Sequence, residues 1–185
     1  MNNREHTQIM KEELTMSHPK NAFNFCPFCG SGNFVWNGTN AHHCSDCSKK
    51  LYVNEVGAVI ALIYNTDGDL LFTTRKFNPA KGTLDLPGGF IDLGETAEHA
   101  VVREVKEELN LDVLRLHFYG SFPNEYTYAG LTYFTIDLAF VCEVENFDNL
   151  NANDDVSAIC FINPKQVNLQ EIGLASVRKL VAQLR

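Results

Sequence analysis

Three carboxylates fall within five residues of the run Arg103–Leu109, REVKEEL: Glu104, Glu107 and Glu108. On a helix of 3.6 residues per turn they occupy an arc of roughly 100°. Glu104 and Glu108 form an i, i+4 like-charge pair, which by itself destabilises a helix. Ala97 and Ala100 share this face, and Val101, Val102, Val105 and Leu109 lie beside it. Arg103, Lys106 and His99 fall on the other side. Carboxylates set against a buried stripe make a ligand set for a hard divalent cation with oxygen donors, Mg²⁺ or Mn²⁺. A solvated acidic face is the plainer alternative.

The flanking residues give this helix its ends. Leu84 to Leu86 reads as a short strand, followed by Pro87-Gly88-Gly89 and a loop from Phe90 to Glu95. Thr96 is a good N-cap, because its hydroxyl can accept a bond from a backbone N–H two or three residues on. Glu98 suits the positive end of the helix dipole. Asn110 tolerates the left-handed conformation that ends a helix. Gly88 and Gly89 let the backbone approach a ligand closely.

A second constellation lies upstream. Cys26-Pro27-Phe28-Cys29 and Cys44-Ser45-Asp46-Cys47 are separated by fourteen residues. Two C-x-x-C pairs so spaced read as a four-thiolate zinc site, in which each pair turns two sulfurs toward one ion. Iron in the same cage, a pair of disulfides and a redox motif are the alternatives; the last lacks a βαβ context. His42 or His43 could replace a thiolate, but four cysteines already close the shell. A closed shell leaves no open position, so this metal is expected to be structural. Cys142 and Cys160 sit in apolar runs and are read as core.

Three zones must position these groups. Residues 1–23 lack periodicity and are expected to be a flexible lead-in. Residues 24–52 form a small zinc ribbon, with a strand-like segment at Phe34–Trp36. Residues 53–185 form the larger domain. There, Val56–Tyr64 and Leu70–Lys76 are β-rich and joined at Asp67-Gly68, a hairpin signal. Leu111–Gly120, Tyr133–Val144 and Val156–Ile162 read as strands, and Leu174–Leu184 has helical spacing. Strands, helix, strands, helix indicate an α+β sandwich with a mixed sheet. The 185 residues carry a formal charge of −8 with 45% hydrophobic content, which argues against nucleic-acid binding through a basic surface. No run approaches a membrane span. The polar Met1–Lys20 has no apolar leader core, and with unpaired thiols this points to the cytoplasm.

The pattern Gly89, five residues, Glu95, seven residues, then Arg103-Glu104-Val105-Lys106-Glu107-Glu108-Leu109-Asn110-Leu111 resembles the Nudix box. That box ends Arg-Glu-apolar-any-Glu-Glu-any-Gly-apolar, and only Asn110 departs from it, in place of Gly. The resemblance implies the Nudix αβα sandwich over residues 53–185. It implies a metal-dependent hydrolase of a nucleoside diphosphate linked to another moiety, with Glu104 and Glu108 as central Mg²⁺ or Mn²⁺ ligands. Glu107 would serve a second ion or a water, and the Gly89 carbonyl a further coordination position. Glu95 and Arg103 would be supports. The general base varies in this family; Asp154 and Asp155 are candidates beside the box glutamates. The ribbon resembles that of the NADH pyrophosphatase branch, whereas Pro87-Gly88-Gly89 is similar to the ADP-ribose pyrophosphatase type. Gly120–Tyr128 keeps little of the Ser-Gln-Pro-Trp-Pro-Phe-Pro-x-Ser stretch of the former. An ADP-ribose-like molecule or a dinucleotide such as NADH is the implied substrate. Arg75, Tyr126 and Tyr128 are candidate substrate contacts, with Lys76, Phe77, Asn78 and Lys81 nearby. Family members pair as homodimers, which sets the same expectation here. A nucleotide-binding sensor without turnover is the alternative function.

Overall fold

The computed structural model describes residues 17–185. Residues 1–16 of the expected lead-in lie outside them. The chain divides into two units.

The described part of the first unit comprises residues 17–55 and 125–134. It opens with one helical turn, α1 (Pro19–Ala22), capped by the His18 side chain. Three short strands follow, β1 (Phe34–Trp36), β2 (Ala41–Cys44) and β3 (Lys50–Tyr52), in an antiparallel sheet of order β1-β2-β3. Its core is small: Cys26, Phe34 and Cys44, with Phe23, Cys47 and Leu51 packed on them. His42 is not a ligand but a core ring. It is buried, stacks on Phe34 at 4.9 Å and meets Trp36 and Phe23 edge-on. Residues 125–134 join this unit through Ser17, whose hydroxyl pairs with that of Thr132 at 2.7 Å, and through His18, whose ring contacts Trp36 and Phe134. A boundary at residues 52/53 does not anticipate that grouping.

The second unit comprises residues 56–124 and 135–185. β4 (Val56–Leu62) pairs in parallel with β8 (Leu131–Val144), and β7 (Val113–Tyr128) completes a sheet of order β4-β8-β7. β6 (Leu84–Asp85), β5 (Leu70–Arg75) and β9 (Val156–Ile162) form a second sheet, antiparallel, of order β6-β5-β9. One sheet is therefore mixed. β4 explains the layers, because its apolar run is buried on both faces. Val59, Ala61 and Ile63 pack with helix α2 (Ala97–Leu109) through Ala100, Val101, Val105 and Leu109. Ile60 and Leu62 pack with helix α3 (Ala175–Gln183) through Val177, Leu180 and Val181.

The Asp67-Gly68 turn forms, but its strands part. Asn65 and Asp69 are bonded across it, Gly68 has φ +80°, and Leu71 N–H donates to Ile63 O at 2.8 Å. Beyond that point β4 goes to one sheet and β5 to the other. β7 and β8 meet instead at Ala129-Gly130, both with positive φ, the conformation of a two-residue hairpin loop. Cys142 is buried, and burial pushes its thiol up to about 12. No helix among the described residues is long and apolar enough to cross a membrane.

Candidate functional site

The segment after β6 is pinned along β4. Ala61 N–H donates to Pro87 O and Val59 N–H to Gly89 O, each at 2.8 Å, and Ile91 N–H donates to Gly57 O at 3.0 Å. Gly88 lies between these bonds with φ +150° and donates its N–H to the Glu108 carboxylate at 3.1 Å. A Cβ on Gly88 would collide with the Val59 carbonyl oxygen; one on Gly89 would strike the Glu104 carboxylate. The two glycines thus bring the main chain against both glutamates. The Gly89 carbonyl, expected as a metal ligand, spends one lone pair on β4.

Helix α2 begins and ends where its residues indicate. Thr96 Oγ1 accepts from His99 N–H at 3.2 Å, and Asn110 closes the helix at φ +55° with its N–H on Lys106 O. Arg103 does not point away from the glutamates. Its Nε and Nη2 grip Glu95 at 3.0 and 2.9 Å, and its Nη1 reaches Glu104 at 2.7 Å and Glu107 at 3.1 Å. Nη2 also donates to Phe90 O at 2.9 Å. A long side chain can fold around its own helix when charge-assisted bonds repay the bend, which a wheel projection does not register.

These contacts set the protonation of the cluster. The Arg103 guanidinium holds the Glu95 carboxyl down at about 2, helped by the Asp92 N–H. Burial pushes Glu104 up, against the pull of Arg103. Glu108 is only 6% exposed. Burial raises its carboxyl to about 9, and the charges of Glu104, Asp85 and Asp155 add to that. A divalent cation takes the place of such a proton when it binds.

Asp154 and Asp155 belong to a loop docked on the end of α2. Asn153 N–H donates to Glu108 O at 2.9 Å and Asn151 N–H to Leu109 O at 3.1 Å. The charge of Asp154 adds to the upward push on Glu104, and that of Asp155 to the push on Glu108, in each case after burial. Arg75 is already engaged: Nη1 meets Asp85 at 2.6 Å and Nε donates to Pro79 O at 2.7 Å. Tyr126 and Tyr128 lie at the hairpin end, in the first unit. Sequence reasoning missed Asp85 as the Arg75 partner. Its place in an apolar-flanked strand opposite Thr73 leaves no periodic signal.

The four ribbon cysteines converge, with all Sγ atoms within 4.8 Å of one another. Cys26 and Cys47 are 3.6 Å apart, as are Cys29 and Cys44. A tetrahedral site with Zn–S of about 2.3 Å needs S···S separations of about 3.8 Å, so the donor set fits zinc. A disulfide needs about 2.05 Å, and all four thiols are free. Each pair is followed by a left-handed residue, Gly30 or Ser48.

The NUDIX domain model matches residues 54–184. The chain is 30% identical over 131 residues to the NAD-capped RNA hydrolase NudC of Vibrio atlanticus, a match covering 71% of this chain and 48% of that protein. It is 50% identical over 62 residues to the ADP-ribose pyrophosphatase of Methanocaldococcus jannaschii, covering 34% of this chain and 36% of that one. Each alignment thus spans less than half of the curated relative. Among solved structures, the NUDIX hydrolase from Nitrosomonas europaea superposes with a TM-score of 0.63 at 18% identity, covering 88% of this chain and 90% of that one.

Three groups of outcomes follow from the geometry, the first a pair of glycine variants. Gly88→Ala should lose at least about 2 kcal/mol of stability in urea unfolding, because the clash is with backbone. Gly89→Ala should fold normally yet bind Mn²⁺ about tenfold more weakly in a spin-resonance titration, because only the Glu104 side chain is displaced. The second outcome concerns acid. Glu95 has a folded value of about 2 against an ordinary 4.5, so the unfolded chain takes up its proton first as pH falls. Its stabilisation is whole above pH 4.5 and fades as pH drops toward 2. The stability gap between the protein and Glu95→Gln should therefore be open at about pH 6 and narrow below about pH 4. Third, metal analysis should find about one zinc per chain, and Cys26→Ser should lose it.

Proposed function

Given that the chain belongs to the NUDIX domain family, we propose that it is a metal-dependent hydrolase of the diphosphate linkage in a nucleoside diphosphate joined to a second moiety. ADP-ribose and dinucleotides of the NAD type are the substrate class. The observation that carries the reading is the gathering of Glu104, Glu107 and Glu108 on one edge of α2. Glu108 is buried there against the Gly88 amide.

Glu104 and Glu108 are the central ligands of Mg²⁺ or Mn²⁺, and Glu107, half-exposed on the same edge, serves a second position. A main-chain carbonyl, that of Gly89 or of Gly88, is a further coordination position; the Gly89 oxygen already accepts from Val59 N–H and has one lone pair left for a cation. Divalent cations held there neutralise diphosphate oxygens and lower the pKa of a bound water. Arg103 fixes the carboxylates in place and ties them to Glu95 and the Phe90 carbonyl. Asp154 and Asp155, on the loop docked to α2, are candidates beside the box glutamates for the base that takes a proton from the attacking water. The ribbon holds zinc in a structural role, and similarity to an NAD-capped RNA hydrolase and an ADP-ribose pyrophosphatase supports assaying that substrate class.

Phosphate-ester release from a nucleotide panel with Mg²⁺ tests this. Glu107→Gln should slow turnover by at least about a hundredfold while binding persists. AMP with ribose 5-phosphate, or AMP with nicotinamide mononucleotide, identifies the branch. Unchanged turnover in the variant rejects the assignment. Nucleotide binding with no turnover by the unaltered protein favours a sensor.

A further inference from the structure

The connection between β5 and β6 carries an exposed aromatic ring beside the glutamate site. Residues 75–83, RKFNPAKGT, hold three cations and no acid in a chain of net charge −8. Arg75 is committed to Asp85, which leaves Lys76 and Lys81 as the charges this loop offers a ligand. The loop is closed by its own bonds: Arg75 N–H to Thr83 O at 3.0 Å, Gly82 N–H to Arg75 O at 2.9 Å, and Thr83 Oγ1 to Ala80 O at 2.6 Å. Its geometry is therefore fixed without a ligand.

Phe77 projects from this frame with 53% of its surface exposed. Lys76 locates it. Lys76 N–H donates to Asp155 O at 2.8 Å, and its Nζ donates to Asp154 O at 2.9 Å. The same ammonium lies 5.3 Å from the centre of the Phe77 ring. One cation thus meets both the ring and the 153–155 loop, which is itself bonded to the Glu108 carbonyl through Asn153 N–H. An exposed ring, a lysine against it and a cation-binding carboxylate cluster in sequence match the parts of a nucleotide: flat base, phosphates, and the metal that bridges them.

We propose that Phe77 is the platform on which the substrate's heteroaromatic base stacks, with Lys76 beside the adjoining phosphate. The proposal rests on the hydrolase reading of the glutamate cluster. Stacking on a protein ring strengthens binding roughly 5- to 150-fold per base, and it acts on the bound substrate and the transition state alike. Such uniform binding is read in KM and not in kcat. Phe77 is therefore assigned to binding the base and not to the chemical step.

The test is steady-state hydrolysis of ADP-ribose and NAD by the full chain, its Phe77→Ala variant and its Phe77→Trp variant. Phe77→Ala should raise KM about tenfold or more, with kcat within about twofold, and Phe77→Trp should restore KM. Titrating ADP-ribose with Ca²⁺ present should quench the fluorescence of Phe77→Trp beyond any change shown by Trp36 in the unaltered protein. An unchanged KM in Phe77→Ala, or equal losses in kcat and KM without rescue, overturns the inference and leaves the hydrolase reading standing. If the unaltered protein turns over neither substrate, the hydrolase reading falls; quenching then still upholds the platform, and its absence overturns that as well.

Discussion

The site depends on anionic charge held where water is scarce. Glu108 is nearly buried and Glu104 largely so, on a helix whose neighbouring face is packed with Val101, Val105 and Leu109. A lone buried carboxylate gives up its charge, and the upward push on Glu108 expresses that. Arg103 offsets part of the repulsion by gripping Glu95, Glu104 and Glu107 together. It does not touch Glu108. The remaining demand for positive charge is one that a cation would meet. The same clamp stiffens the loop before α2, so the ligand geometry is settled by charge as much as by packing.

Everything that aims these groups refers to β4. Its alternate residues pack on α2 and α3, its parallel partner is β8, and its free edge receives the Pro87–Ile91 segment. Gly88 sits between β4 and Glu108 with no space for a side chain. A shift of that segment by one residue would exchange the peptide that faces the carboxylates for one that faces the strand. Register on β4 therefore sets the main-chain side of the site, while the caps at Thr96 and Asn110 set the length of the side-chain side.

Much of this was legible because the signals were local. The N-cap, the left-handed Asn110, the glutamate spacing and the paired C-x-x-C turns each rest on residues a few positions apart. What escaped depended on partners far along the chain. Asp67-Gly68 gives its turn, but no local feature tells that β4 prefers β8 to β5. Ala129 takes a positive φ that its side chain disfavours, so the β7–β8 hairpin carries a weak turn signal. Arg103 looked averted on a helical wheel because the wheel places Cβ atoms and ignores a side chain long enough to turn back. Arg75 looked available for phosphate because nothing near it in sequence announces Asp85 as its buried partner.

On the proposed function, an acidic chain would handle an acidic substrate, and its charges would have to be sorted by distance. At physiological ionic strength, exposed charges beyond about 8 Å are largely screened, so the total of −8 says little about what a diphosphate meets on arrival. What it meets is local. Lys76 and Lys81 stand on a loop free of acids. Under the proposed function, the glutamates that repel an anion when bare would attract it once they held a cation. On the hydrolase reading proposed above, metal would precede nucleotide: a diphosphate approaching the bare cluster would face Glu104, Glu107, Asp154 and Asp155, and Arg103 is already shared among three carboxylates.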